Sequence, residues 1–195
     1  MRRFTPTALA AALGMLSLAS SPTRADTQAT GVARVLVTVP PSIAVAPIQP
    51  LWDLSTVQKG SFSAIITWRV EANVQSIQMM LEASDLYKAD DPSNTEIAPV
   101  PLDSTRPADI LAEHATATNG AGSGVSWIGP GAPINNFPTM RSDTVIYESS
   151  QLGTFSQLVT TRVYYDQQDA IKPMGQYGGR VRITTLIPPM AALGR

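Results

Sequence analysis

Hydrophobic and polar positions alternate with a period of two in several stretches of the chain. The clearest stretch is SAIITWRVEA, from Ser63 to Ala72. One face would carry Ala64, Ile66, Trp68, Val70 and Ala72, and only Ile65 interrupts the polar face. Because successive side chains of a β-strand point to opposite faces, this pattern predicts a half-buried strand. The segment from Ile77 to Ala83 repeats it, and Asn73 between the two predicts a tight hairpin with positive φ at that residue.

Similar alternation appears near both ends of the chain. In VARVLVTV, Val35, Val37 and Val39 share one face, and the prolines that follow end the predicted first strand because proline cannot donate to a ladder. In the last predicted strand, Val181 and Ile183 face inward. Before that strand, Pro173 and Gly175 predict a turn, Tyr177 an aromatic cover for the sheet edge, and Gly178 with Gly179 a bulge or a close approach of two backbones.

The remaining segments complete an all-β pattern. Further strands are predicted within 143–149 and 156–166, and residues 107–115 fit a short helix and an irregular strand about equally well. Proline and glycine are above average usage, which suits short strands joined by turns. We therefore expect a β-sandwich of about seven to nine mostly antiparallel strands with at most one short helix.

The first 25 residues have the pattern of a signal peptide. Arg2 and Arg3 form a basic start, residues 8–18 are mostly apolar, and Thr23, Arg24 and Ala25 read as a cleavage site. The apolar run is shorter than the roughly 20 residues that span a bilayer, so we expect no transmembrane segment in the mature chain. The sequence thus predicts one β-sandwich domain at 26–195, exported by general secretion to the periplasm, the cell surface or the extracellular space.

Composition narrows the chemistry that the chain can perform. Cleavage after Ala25 would leave 11 basic and 15 acidic residues, a net charge of about −4, and the basic residues are scattered, so nucleic acid is not an expected partner. With no cysteine and one histidine, the sequence predicts no metal site and no cofactor. His114 is the only candidate imidazole base, and the GAGSG run does not match a nucleophile elbow. We expect a protein that is not an enzyme.

A Gly- and Pro-rich region at about 116–138 is the most suggestive candidate for a binding surface. Exposed loops on a rigid scaffold often bind ligands, and Trp127 and Phe137, together with Trp52 elsewhere, could supply aromatic contact area for a ligand or a partner. The alternative is that Trp127 fills the end of the sandwich core, and the sequence favours this structural role.

Two motifs in order along the chain resemble a known group of proteins. The early VTVPPSIAV and the late pattern of Pro173, Gly175, Tyr177, Gly179, Val181, Ile183 and Thr184 resemble secreted β-sandwiches of the spore-coat-U-like and fimbrial-subunit type. This resemblance implies an immunoglobulin-like sandwich whose subunits join by lending a strand to the open sheet edge of a neighbour. It implies as partners the protein itself or related subunits, and a periplasmic chaperone. The chain lacks the cysteine pair of many fimbrial subunits.

Two functions follow as expectations. The first is an exported structural or assembly protein of the bacterial cell surface, a pilin-like or coat-like subunit that uses sheet-edge pairing. Its assembly strands would contain Val35, Val37, Val39, Val181 and Ile183. The second is a non-catalytic periplasmic or extracellular module that binds carbohydrate or protein through the aromatic, Gly-rich loop.

Overall fold

The computed structural model describes residues 34–51, 53, 59–119 and 124–188. The predicted signal peptide and Trp52 lie outside the described residues. The chain divides into two units, Met1–Thr38 and Val39–Arg195, and all the strands belong to the second. In the first unit, the described residues Arg34–Thr38 are exposed and form no strand.

The second unit is all β in its described part, which confirms the predicted fold class. In chain order the strands are β1 (Ile43–Pro47), β2 (Gly60–Ala72), β3 (Ser76–Ala83), β4 (Tyr87–Lys88), β5 (Ala108–Ala112), β6 (Ala115–Ala117), β7 (Gly124–Val125), β8 (Trp127–Pro130), β9 (Met140–Ser149), β10 (Phe155–Gln167), β11 (Tyr177–Gly178) and β12 (Val181–Leu186). These twelve strands exceed the expected seven to nine, and three of them are only two residues long. Residues 107–115 are strand and turn, so their helical interpretation was wrong.

Two five-stranded antiparallel sheets contribute to one core. The first has the order β1-β2-β10-β5-β7. The second has the order β12-β3-β9-β6, with β8 also paired to β9, and β4 pairs separately with β11. Buried side chains from both large sheets join one hydrophobic cluster, which includes Val70, Leu81, Val145 and Val163. This arrangement is consistent with the β-sandwich that the alternation predicted.

The predicted hairpin between β2 and β3 was wrong. Both strands bury the predicted faces, but they lie in different sheets, because β10 pairs with all 13 residues of β2 and β3 pairs with β9 and β12. Asn73 is not among the residues with positive φ. Its side chain instead accepts from the backbone N–H of Ser42 at 2.6 Å and donates to the carbonyl of Pro40 at 2.9 Å. Asn73 therefore anchors the chain where β1 begins.

The predicted first strand also differs from the structure. Residues 34–41 form no strand, and β1 is the following apolar segment, Ile43–Pro47. Val35, Val37 and Val39 are exposed. A strand needs a neighbour for its backbone groups, and alternation alone does not supply one. Residues 43–47 have that neighbour in β2, opposite Trp68–Ala72.

Three buried aromatic side chains form hydrogen bonds through their polar atoms inside the core. The indole N–H of Trp68 donates to Thr161 Oγ1 at 2.9 Å, and the hydroxyl of Tyr147 donates to the carbonyl of Ile110. The hydroxyl of Tyr165 donates to the carbonyl of Ser84 at 3.3 Å. Burial raises the pKa of Tyr165, and the nearby carboxylate of Asp85 raises it further. These bonds satisfy groups that would otherwise destabilise the fold.

Candidate assembly site

Strand β12 forms one edge of the second large sheet. It pairs on one side with β3, in a register that places Val181 opposite Ala83 and Leu186 opposite Gln78. In the described part of the chain, no backbone bond joins its other side to another segment. Strand β1 of the other large sheet lies close to β12 but does not pair with it. We call this unpaired side of β12 the uncovered edge, and an edge with unpaired backbone groups is a template for pairing with another strand.

The direction of the backbone groups along β12 follows from its hydrogen bonds. Ser84 N–H donates to the carbonyl of Arg180 at 2.9 Å, so that pair is a hydrogen-bonded one. Because hydrogen-bonded and non-hydrogen-bonded pairs alternate in an antiparallel ladder, Arg182 and Thr184 also direct their backbone groups toward β3. The backbone groups of the alternate residues, Val181, Ile183 and Thr185, therefore point to the uncovered edge.

The side chains of these same alternate residues cover the core. Ile183 is buried and belongs to the core cluster, Val181 packs against that cluster, and Thr185 is half-buried. A strand added at this edge would form backbone hydrogen bonds with Val181, Ile183 and Thr185. The residues of the added strand that lie opposite these three would also direct their side chains toward the core. This geometry suits a partner with apolar residues at every second position.

An ion pair with a buried carboxylate holds the middle of β12 in place. Arg182 Nε donates to Glu82 Oε2 at 2.7 Å, and the carboxylate of Glu82 is almost completely buried. Its other oxygen, Oε1, accepts from Ala132 N–H at 3.0 Å, and Arg182 Nη2 donates to the carbonyl of Ala132 at 3.2 Å. Glu82 therefore ties three segments together: β3, β12 and the loop after β8.

The motif that precedes β12 fixes where the strand starts. Gly175 has a φ of +147°, which favours glycine, and the hydroxyl of Tyr177 donates to the carbonyl of Pro173 at 2.8 Å. Burial raises the pKa of Tyr177, and Asp169 raises it further. A Cβ on Gly179 would lie 2.9 Å from the carbonyl oxygen of Asp85, so two backbones approach closely at this glycine, as the sequence predicted.

The exposed segment ahead of β1, residues 34–39, carries the other predicted assembly residues. Val35 is 85% exposed and Val37 is 76% exposed, and Leu36 and Val39 are also exposed. Four large aliphatic side chains are therefore exposed within five consecutive residues of the chain. Clusters of exposed apolar side chains mark interaction sites far more often than isolated ones do.

Of the three predicted aromatic contact residues, the structure describes Phe137 and Trp127, and it does not place these two together on an exposed surface. Phe137 is 2% exposed, with Arg180 over its ring at 4.4 Å and Tyr87 at its edge, so it faces the interior and not a ligand. Trp127 lies in β8 and packs partly buried against the core, as the structural alternative predicted. Trp52 lies outside the described residues. The aromatic binding hypothesis therefore retains only part of its expected surface.

A shallow cleft of about 530 Å³ lies beside the β5–β6 turn, and its lining includes Glu113, His114, Glu148 and Ser150. The hydroxyl of Ser150 donates to the backbone carbonyl of His114 at 3.1 Å and not to the imidazole. This contact does not activate the serine as a nucleophile. No group of three or more metal-ligating side chains occurs among the described residues.

Sequence reasoning missed the structural role of Glu82. The alternation placed it on the polar face of its strand, where solvent exposure is the expected state. The register of β3 against β9 shifts between Met80 and Glu82, and the loop at Ala132 covers the carboxylate. Only the pairing of three distant segments shows this burial, so no local sequence signal indicated it.

The comparisons with other proteins give no relatives for this chain: no family model matches it, and no curated protein or solved structure is significantly similar to it. The resemblance to fimbrial and coat proteins stays a prediction. None of the described residues forms a helix of the length and apolarity that crossing a membrane requires.

Proposed function

We propose that the protein is an exported subunit that assembles at the cell surface by sheet-edge pairing. In this assembly, residues 34–39 of one subunit pair with the uncovered edge of β12 in a second copy. Related subunits and a periplasmic chaperone that covers the same edge before assembly are further partners of this proposal.

One observation supports this proposal most directly. The β12 residues whose backbone groups point to the uncovered edge are Val181, Ile183 and Thr185, which have inward side chains. The exposed segment carries valine at the same spacing, at positions 35, 37 and 39. Paired in antiparallel register, Val37 lies opposite Ile183, so backbone bonding and apolar burial are satisfied together.

The physical gain of this pairing is the burial of side chains that are otherwise in water. Fully burying a valine stabilises by about 1.5–3 kcal/mol relative to leaving it exposed, before the cost of ordering the segment. Three valines contribute about 4.5–9 kcal/mol, against about 6–12 kcal/mol for ordering the backbone of six residues. The backbone hydrogen bonds to the receiving edge must supply the rest.

The test compares two substitutions on adjacent residues of the mature chain, residues 26–195. Val37→Asp places a charge on the inward face of the added strand, whereas Thr38→Asp places the same charge on its outward face. We expect light scattering over a concentration series, with electron microscopy of the same samples, to show assemblies for the wild type and for Thr38→Asp. Val37→Asp should remain monomeric, because burying an unpaired carboxylate is strongly unfavourable.

Either of two results would overturn the proposal. The wild-type chain could be a monomer at every concentration, including after removal of any co-purifying chaperone. Alternatively, both aspartate variants could assemble to the same size as the wild type. Circular dichroism of each variant verifies that the β-sheet content is unchanged.

A further inference from the structure

Two apolar side chains project almost fully into solvent from the loop between β10 and β11. Ile171 is 88% exposed and Met174 is 96% exposed. Two apolar side chains presented three residues apart by one loop can supply the apolar contact area that the core of a protein–protein interface requires. The sheet-edge pairing described above leaves them without a role.

This loop is held firmly by its own hydrogen bonds. Lys172 Nζ donates to the carbonyls of Ala98 and Pro99, at 2.6 and 2.9 Å. Ile171 N–H donates to Asp169 Oδ1 at 2.9 Å, and Ala89 N–H donates to the carbonyl of Gln176 at 2.8 Å. A loop that is already ordered loses little entropy on binding, so its exposed side chains can contribute most of their burial energy to an interface.

A third strongly exposed apolar residue lies at the opposite end of β10. Leu152, in the β9–β10 turn, is 91% exposed. It precedes the first residue of β10, Phe155, whereas Ile171 and Met174 follow the last, Gln167. A strand of 13 residues spans about 40 Å. The exposed apolar turns therefore mark the two opposite ends of the strand.

Strand β1, the first strand of the second unit, begins at the Leu152 end. Ile43, the first residue of β1, pairs with Ala72, which also pairs with Phe155. The backbone of Ser149 bonds to that of Gln75 at the same end. In contrast, β12 starts at the other end, immediately after β11 and the loop with Met174.

We propose that this loop docks against the Leu152 turn of the next copy, so that subunits join end to end. This inference rests on the proposed strand pairing. In antiparallel register, Val39 of the lending subunit lies opposite Val181 of the receiving one. The lending subunit's own domain begins at that point, which brings its Leu152 end beside Ile171 and Met174 of the receiver. The contact is heterologous, so it repeats from one subunit to the next.

Engineered cysteines test the contact directly, because the natural chain contains none. One preparation of the mature chain carries Leu152→Cys and a second carries Met174→Cys. The two proteins are mixed and treated with a short thiol-reactive cross-linker. Ile128→Cys, at an exposed position in β8, replaces Leu152→Cys in the control mixture. We expect at least about tenfold more cross-linked heterodimer from the first mixture, because assembly raises the effective concentration of the facing thiols.

The outcomes separate this inference from the proposed function. Assemblies of wild-type size in which the 152–174 pair cross-links no better than the control would overturn the end-to-end contact and leave strand pairing intact. A predominance of cross-links between two copies of the Leu152→Cys chain would also overturn it, since that result requires the lent segment to run parallel to β12. Binding to anionic lipid vesicles that Met174→Asp abolishes, without a 152–174 cross-link, would assign the loop to a membrane surface instead. Loss of the cross-link when Val37→Asp is added to the Leu152→Cys chain would support both proposals.

Discussion

Arg182 of the edge strand binds the buried carboxylate of Glu82 on the neighbouring strand, with Nε at 2.7 Å and Nη2 at 2.6 Å from Oε2. The same carboxylate accepts the backbone N–H of Ala132. The pair therefore joins the proposed acceptor strand β12 to the sheet and to a distant loop. Its loss would affect the edge on which the assembly model depends.

Glu82→Ala should destabilise the protein by about 2–3 kcal/mol, because it leaves the Arg182 guanidinium and the partly buried backbone N–H of Ala132 without their carboxylate acceptor. The partial exposure of Arg182 keeps the loss below that of a fully buried pair. Urea unfolding followed by circular dichroism measures the change. The matched control is Glu71→Ala, since Glu71 and Arg69 form an exposed pair at 3.7 Å that is worth about 0–1 kcal/mol. Equal effects of the two substitutions would contradict this role for Glu82.

Proline substitutions should distinguish the two sides of β12. The N–H of Thr185 points to the uncovered edge, so Thr185→Pro should leave the fold intact and prevent strand addition. The N–H of Thr184 points to β3, so Thr184→Pro should cost about 3 kcal/mol or more of folding stability. Thermal unfolding and light scattering on both variants check this. Assembly by a folded Thr185→Pro variant would exclude β12 as the acceptor edge.

Gly179→Ala should destabilise the fold by about 1–3 kcal/mol, because the added methyl group meets the side chain of Leu86 and a backbone carbonyl. Gly124→Ala provides the control: among the described residues, its Cβ would meet only Pro107, at an ordinary contact distance of 3.6 Å. Denaturant midpoints of the two variants give the comparison. A Gly179→Ala midpoint as high as that of the control would show that the two segments separate without strain.

Stability should decline at alkaline pH because burial raises the pKa of Tyr165 in the folded state. An unfolded tyrosine ionises at about pH 10, so above that pH the unfolded chain binds fewer protons than the folded one and stability falls. The contribution is fully present below pH 10. Tyr165→Phe should flatten this decline while costing about 0.5–1.5 kcal/mol at neutral pH, where the hydrogen bond to Ser84 is lost. Urea unfolding from pH 8 to pH 11 tests this, and parallel pH profiles for both proteins would refute it.

Local pattern in the sequence determined the fold class and most of the core. The period of two placed Ala64, Ile66, Trp68 and Val70 on the buried face of β2, and this face is buried in the structure. It also located β9, β10 and β12, and the glycines before β12 indicated a close backbone approach that Gly179 makes. These features are encoded locally, because alternation follows from strand geometry and glycine is needed where no side chain fits.

Tertiary structure decided the partners of each strand. Alternation is the same whether consecutive strands form a hairpin or cross between sheets, so the sequence did not reveal that β2 and β3 lie in different sheets. It likewise did not reveal that Val35 and Val37 are exposed or that Glu82 is buried. These properties depend on contacts between segments that are distant in sequence. A strand's backbone and a side chain's burial are satisfied by neighbours that only the folded chain brings together.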